Sequence, residues 1–250
     1  MSTKTVLITG ASRGIGRAAA LAAASRGWSV GVNYVSDARA ADEVVERIEQ
    51  MGGRAVALKG DVAIEADVIA MFDGAESALG PIHAAVVNAG VIAPTAKLVD
   101  MSVERMRRVL DINVLGAFVT AREAARRLMK SRGGPGGSIT LISSAAARLG
   151  SPNLYVDYAA AKGAIDTFTR GLASELGPEG VRVNGIRPGL IATEIHASGG
   201  EPDRAQTLGS TSPMGRPGLP EEVAEAIAFL IDDRAASYVT GAILDVSGGR

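Results

Sequence analysis

Thr5-Val6-Leu7-Ile8-Thr9-Gly10-Ala11-Ser12-Arg13-Gly14-Ile15-Gly16 opens the chain with a short β-branched run, a glycine-rich turn and the first residues of an Ala-rich segment. It reads as strand, tight turn and helix. Glycine at 10, 14 and 16 lets the backbone turn sharply and approach a bound group, and the helix start beyond it offers free N–H groups and a positive dipole end. Such a turn suits a pyrophosphate. Its spacing, G-x-x-x-G-x-G, departs from the G-x-G-x-x-G of many dinucleotide sites. Because strand-to-helix turns use glycine for their own sake, the flanks must be read with it.

Working outward, short β-branched runs alternate with longer Ala-rich segments to the end of the chain. Strands are expected over 5–9, 29–33, 55–59, 84–88, 138–143, 182–187 and 242–246, with helices over 15–26, 39–51, 65–78, 103–130, 158–177 and 220–231. Alternation of this kind predicts an α/β fold: one doubly wound parallel sheet of seven strands with helices on both faces. The near-continuous Val, Ile, Leu and Ala content of the strands fits burial on both sides. A length of 250 residues suits one domain over 1–250, and no linker divides it. Gly133-Gly134-Pro135-Gly136-Gly137 reads as a surface connection. The stretch 192–219, rich in Gly and Pro, follows the sixth strand at the carboxyl edge of the sheet and is expected to be a substrate lid.

A net charge of −1 with dispersed charges gives no reason to expect nucleic acid as a partner. The absence of cysteine excludes a disulfide framework, a thiolate zinc site and a catalytic thiol. Only two histidines, His83 and His196, are present, so no metal site is expected; His196 reads as a solvated lid residue or one that touches substrate. Met1-Ser2-Thr3-Lys4 leads straight into the first strand, and no run approaches the ~18 apolar residues of a membrane span. The expectation is a soluble, cytoplasmic protein.

Tyr158 and Lys162 stand four residues apart, so they share one helix face. A nearby ammonium favours the phenolate and is expected to draw the phenol from ~10 toward the working range. Asn88-Ala89-Gly90 ends the fourth strand, and Gly60-Asp61-Val62 follows the third; with the first turn they would line one crevice. The second strand ends in Asn33-Tyr34, with no acid to accept from a ribose 2′-hydroxyl, while Arg13 could pair with a 2′-phosphate. NADP is therefore favoured over NAD. Asp37 is the counter-evidence, although it also reads as the cap of the second helix.

With the glycine turn, Asn88-Ala89-Gly90, Ser144 and Tyr158-x-x-x-Lys162 in chain order, the sequence resembles the short-chain dehydrogenase/reductase family over its full length, with bacterial glucose dehydrogenase-like oxidoreductases as the nearest subgroup. The resemblance implies an extended Rossmann fold, a nicotinamide cofactor, hydride transfer between a small-molecule carbonyl and an alcohol, and a homotetramer built through the fourth and fifth helices and the last strand. Tyr158 would be the general acid/base, and Lys162 would tune it and hold the nicotinamide ribose. Ser144, favoured over Ser143 by strand alternation, would bond the substrate oxygen, and Asn113 would support a proton relay to Lys162. The same likeness places Gly10, Ser12, Arg13, Gly14, Ile15, Gly16, Asn33, Tyr34, Asp61, Val62, Asn88, Ala89 and Gly90 against the cofactor. On its nicotinamide side it adds Pro188, Gly189, Ile191 and Thr193, the last of which could instead cap a lid helix. The family's Asn-Asn-Ala-Gly reads Val87-Asn88-Ala89-Gly90 here. Ala117, Ala121, Ala124 and Ala125 form a face that suits either subunit packing or the internal core. Two rival functions remain: a 3-oxoacyl-carrier-protein reductase, which the acidic stretch Ser174-Glu175-Leu176-Gly177-Pro178-Glu179 disfavours, and a non-catalytic NADP-sensing protein.

Overall fold

The computed structural model describes residues 3–201 and 203–250; the side chains of His196 and Ser198 also lie outside the described set, and with them the reading of His196. Seven strands form one sheet: β1 (Thr5–Ile8), β2 (Ser29–Tyr34), β3 (Ala55–Lys59), β4 (Ile82–Val87), β5 (Gly137–Ile142), β6 (Val181–Pro188) and β7 (Ile243–Val246). They lie in the order β3-β2-β1-β4-β5-β6-β7, every pair parallel, with register fixed by pairs such as Val6 with Val30 and Leu141 with Gly185. The order reverses between β1 and β4. That reversal opens a crevice beyond the carboxyl ends of the two strands, the place where a doubly wound sheet receives a ligand.

Each face of the sheet carries its own apolar core. On one side α1 (Gly14–Ala24), α2 (Ala38–Gln50) and α10 (Pro220–Ile231) bury Ala19, Ala23, Val44, Ile48 and Ile227 against Val6, Ile8, Val30 and Val32. On the other, α3 (Glu65–Leu79), α5 (Gly116–Leu128) and α7 (Val156–Leu176) bury Phe72, Met71, Leu128, Ile165 and Leu176 against Leu7, Ile139, Leu141 and Val183. The four alanines of α5 belong to this second core, with Ala121 and Ala124 fully covered. Their face is therefore internal. The apolar residues that α5 and the preceding turn leave exposed are Leu115 and Phe118.

The helix expected over 103–130 is present, with one π turn inside it. α4 (Val103–Leu110) and α5 are joined by a wide π turn, Asp111–Leu115, closed by the Gly116 N–H on the Asp111 carbonyl. Asn113 causes the widening. Its Nδ2 donates to the Val109 carbonyl at 2.9 Å, the acceptor that the regular ladder would assign to a backbone N–H, and also to the Val91 carbonyl at 2.9 Å.

Two short helices, α8 (Ile195–Ser198) and α9 (Arg204–Gly209), lie within the stretch 192–219. Its two ends meet in a neck, where Ala192 donates to the Gly218 carbonyl and Gly218 to the Leu190 carbonyl, both at 2.9 Å. α6 (Ala146–Leu149) is a further short helix between β5 and α7. No helix among the described residues is long and apolar enough to cross a membrane.

Candidate active site

The crevice is assembled from strand ends. Gly10 and Gly14 sit at φ of +63° and +54°, in the left-handed region that glycine enters without strain, and a Cβ on Gly16 would lie 2.2 Å from the Gly10 carbonyl oxygen. Only glycine fits at 16. The turn is stapled to β4 by Asn88, whose Nδ2 donates to the Thr9 and Gly10 carbonyls at 2.8 and 3.1 Å, while the Thr9 hydroxyl accepts from the N–H groups of Asn88 and Ala89. Val87, standing where the family has a first Asn, is buried in the core. At the start of α1 no side chain caps the helix and no acid stands in the first turn. Together with the glycines, this leaves a cradle whose shape and unopposed dipole fit the pyrophosphate of a dinucleotide.

The remaining residues expected at the cofactor fall into two groups. Ser12, Ile15, Ala89, Gly90, Gly189 and Thr193 are partly exposed along the crevice, and Thr193 lies over the turn, its Cγ2 3.4 Å from where a Gly14 Cβ would be. Arg13 is exposed, and Tyr34 is half-buried beside the turn. Asn33 and Val62 are buried instead. Asn33 accepts from the Gly10 N–H and donates to the Leu58 and Gly60 carbonyls, so its amide is spent on holding the glycine turn. Val62 packs under Gly116, and Asp61 accepts from the Ala63 N–H. Pro188 and Ile191 are buried in the cleft wall. Asp37 accepts from the Ala40 N–H at 3.0 Å and is the cap of α2.

Beyond the cradle, a cleft of about 410 Å³ brings together Tyr158, Lys162 and Ser144. Ser143 turns away and donates to the Lys162 carbonyl at 3.0 Å, leaving Ser144 to face the cleft. Asn113 lies just behind, and a Cβ on Gly90 would meet its Oδ1 at 2.7 Å and Lys162 Nζ at 3.4 Å. Lys162 Nζ donates to the Ile142 carbonyl at 2.8 Å and lies 5.6 Å from the Tyr158 ring centroid.

Burial sets the protonation of this pair. The Tyr158 phenol is pushed up to about 12, first by loss of solvation, with Tyr155 adding to the rise and the Ser144 hydrogen bond opposing it. Lys162 is lowered to about 8 by burial, against the pull of Asp166. The expectation that Lys162 draws the phenol toward neutral pH is therefore corrected. The ammonium is directed to a carbonyl, and burial raises the phenol.

Three contributors escaped the sequence reading. Tyr155 stacks edge-on against Tyr158, ring centroids 5.8 Å apart. Asp157 pairs with Arg105 at 2.9 Å, both side chains largely buried, and accepts from the Tyr158 N–H, so it pins the start of α7. Arg204, from α9, reaches the cleft wall. The spacing of Tyr155 and Asp157 from Tyr158 was a visible signal, whereas Arg204 carried none. The acidic stretch 174–179 lies at the far end of α7, 21 residues and ~30 Å from its start, so it does not bear on the entrance.

The comparisons with known proteins agree with this geometry. A family model described as Enoyl-(Acyl carrier protein) reductase matches residues 10–250. The chain is 50% identical over 244 residues to "Uncharacterized oxidoreductase YgfF" of Escherichia coli K12, covering 98% of each. It is 39% identical to "Glucose 1-dehydrogenase 2" of Bacillus subtilis, over 100% of this chain and 95% of that one, and 38% identical to a 3-oxoacyl-[acyl-carrier-protein] reductase of Synechocystis, over 100% and 97%. The crystal structure of a short-chain type dehydrogenase/reductase from Mycobacterium marinum superimposes with a TM-score of 0.92 at 36% identity, over 99% of this chain and 95% of that one. The chain belongs to the short-chain dehydrogenase/reductase family. It is an NAD(P)-dependent oxidoreductase of that family, and the reading as a non-catalytic sensor is set aside.

Proposed function

We propose that the protein reduces a carbonyl to a secondary alcohol, reversibly, with NADPH, and that Tyr158 is the proton donor. The observation that carries this reading is the convergence of Tyr158, Ser144 and Lys162 in one cleft beside a glycine cradle. The dinucleotide, when bound, supplies the hydride. Gly10, Gly14 and Gly16 with the start of α1 would hold its pyrophosphate, and Lys162 its nicotinamide ribose. A phenol near 12 is fully protonated at neutral pH, the form that a carbonyl oxygen needs as it gains charge. Ser144 holds that oxygen, and the Lys162 ammonium below the ring stabilises the phenolate left behind. Asn113, fixed on Val91, would support the return of a proton through Lys162.

Preference for NADP rests on Arg13, exposed within the turn, on the lack of an acid at the end of β2, and on the use of Asp37 as a cap. The stretch 192–219 acts as the substrate lid over this cleft. A 3-oxoacyl-carrier-protein reductase remains the second reading, because Arg13 and Arg108, both exposed, line a groove that adjoins the cleft and offer basic charge to an acidic carrier. The test is NADPH oxidation across a carbonyl panel. Tyr158→Phe should lose at least ~100-fold in kcat with cofactor affinity intact; unchanged turnover refutes the assignment.

A further inference from the structure

The part of the cleft beyond Ser144 is walled by Ile92, Leu149, Pro152, Leu154 and Ile195, an apolar surface that offers few partners to a polyhydroxylated substrate. Its charged residues are all cationic. Lys162, Arg204 and Arg250 line it, and no Asp or Glu does. Lys162 belongs to the reaction, and Arg250 directs its guanidinium to the Thr211 hydroxyl at 3.4 Å. Arg204 is differently placed. Its side chain is only 9% exposed, its guanidinium carbon lies 5.4 Å from the Tyr155 ring centroid, and Tyr155 in turn stands against Tyr158.

Arg204 Nη1 pairs with Glu201, yet its Nε is buried without a hydrogen-bond partner. A guanidinium donor closed off from water and left unmet destabilises the empty site, and an incoming acceptor removes that cost. The Nε side of the guanidinium is also the edge by which arginine grips a carboxylate through two parallel bonds. We infer that the substrate is an anionic carbonyl compound, an oxo acid whose apolar chain lies along the aliphatic wall and whose carboxylate seats on Arg204 while its carbonyl meets Tyr158 and Ser144. Nε is covered in this conformation, so α9 must shift as the acid binds. The inference deepens the proposed carbonyl reduction and rests on it.

Matched pairs test it: the oxo acids from 4-oxopentanoate to 8-oxononanoate, each against its own methyl ester, with acetoacetyl thioester as a further arm and NADPH oxidation as the readout. In at least one pair kcat/KM should favour the acid by about 10- to 100-fold, the range for a charge-assisted hydrogen bond. Arg204→Leu should collapse that ratio toward one through KM, and Arg204→Lys should restore part of it. Turnover of both members without preference for the acid, or preference for the thioester over every acid, overturns the anionic substrate and leaves carbonyl reduction standing. No oxidation of NADPH with any member, while the wider carbonyl panel is turned over, overturns this inference alone, and failure of both sets refutes the carbonyl reading with it.

Discussion

Replacing Lys162 with methionine should make the protein more stable at neutral pH while removing its activity. Lys162 is buried, and its ammonium is lowered from 10.5 to about 8, so keeping it charged in the folded state costs about 3 kcal/mol. Methionine matches the length of the stem and carries no charge, but it gives up the charge-assisted bond to the Ile142 carbonyl, worth about 2 kcal/mol. Asp166, the acid four residues on, keeps its ion pair with Arg187 at 2.7 Å. The expected net gain at pH 7 is therefore about 1 kcal/mol. The sign of the pH dependence follows from linkage: between pH 8 and 10.5 the unfolded chain holds a proton that folded Lys162 has released, so wild-type stability rises relative to the variant across that window. The advantage of Lys162→Met should shrink above pH 8 and reverse near about pH 9. Urea unfolding of both proteins at one concentration and without added dinucleotide, from pH 6 to 10.5, reads this directly. A variant less stable than wild type at pH 7, or a difference that does not change with pH, refutes the reasoning.

Arg13→Ala should erase most of the preference for NADPH over NADH in a fluorescence titration; an unchanged ratio of dissociation constants removes Arg13 from the 2′-phosphate. Asp157→Ala leaves the Arg105 guanidinium buried beside Pro94 without its carboxylate, side chains that are 14% and 5% exposed in the pair, and should cost about 3–5 kcal/mol in urea unfolding. A loss below about 1 kcal/mol would show that the pair does not anchor α7. Leu115 and Phe118 on the α4–α5 side and Leu244 on β7 remain exposed in the single chain and fit burial between subunits. Sedimentation velocity should accordingly give a homotetramer, and a monomer at micromolar concentration would overturn that assembly.

The fold was legible because its signals are local and repeated. β3 and α10 fall on the expected residues, and the other strands differ by one or two at their ends, where hydrogen-bond pairing and not composition decides. The helix over 103–130 is met, but its apolar period does not show the π turn inside it, which depends on Asn113 reaching Val91, a contact 22 residues away in the chain. The structural part of Asn33 was hidden for a related reason. Its position at a strand end points to the cofactor, and only the approach of Gly10, Leu58 and Gly60 shows that its amide also holds the glycine turn. The phenol moved opposite to expectation because the spacing of Tyr158 and Lys162 predicts proximity, while the sign of a pKa shift depends on how completely both groups leave water.

Gly90 shows how tightly the chemistry and the fold are joined at this point. It is half-exposed and has no left-handed φ, so a turn does not demand it. Close approach does: any Cβ there would press on the Asn113 amide oxygen at 2.7 Å, while the Lys162 ammonium at 3.4 Å is in ordinary contact. The end of β4 and the π turn can meet this closely only if position 90 has no side chain. Gly90→Ala must therefore displace the Asn113 amide from Val91 and can leave Lys162 on Ile142. That loosens the π turn and leaves the pH dependence of stability between 8 and 10.5 in place. The same urea series that tests Lys162→Met checks this, and a flattened profile would show that Lys162 moves instead.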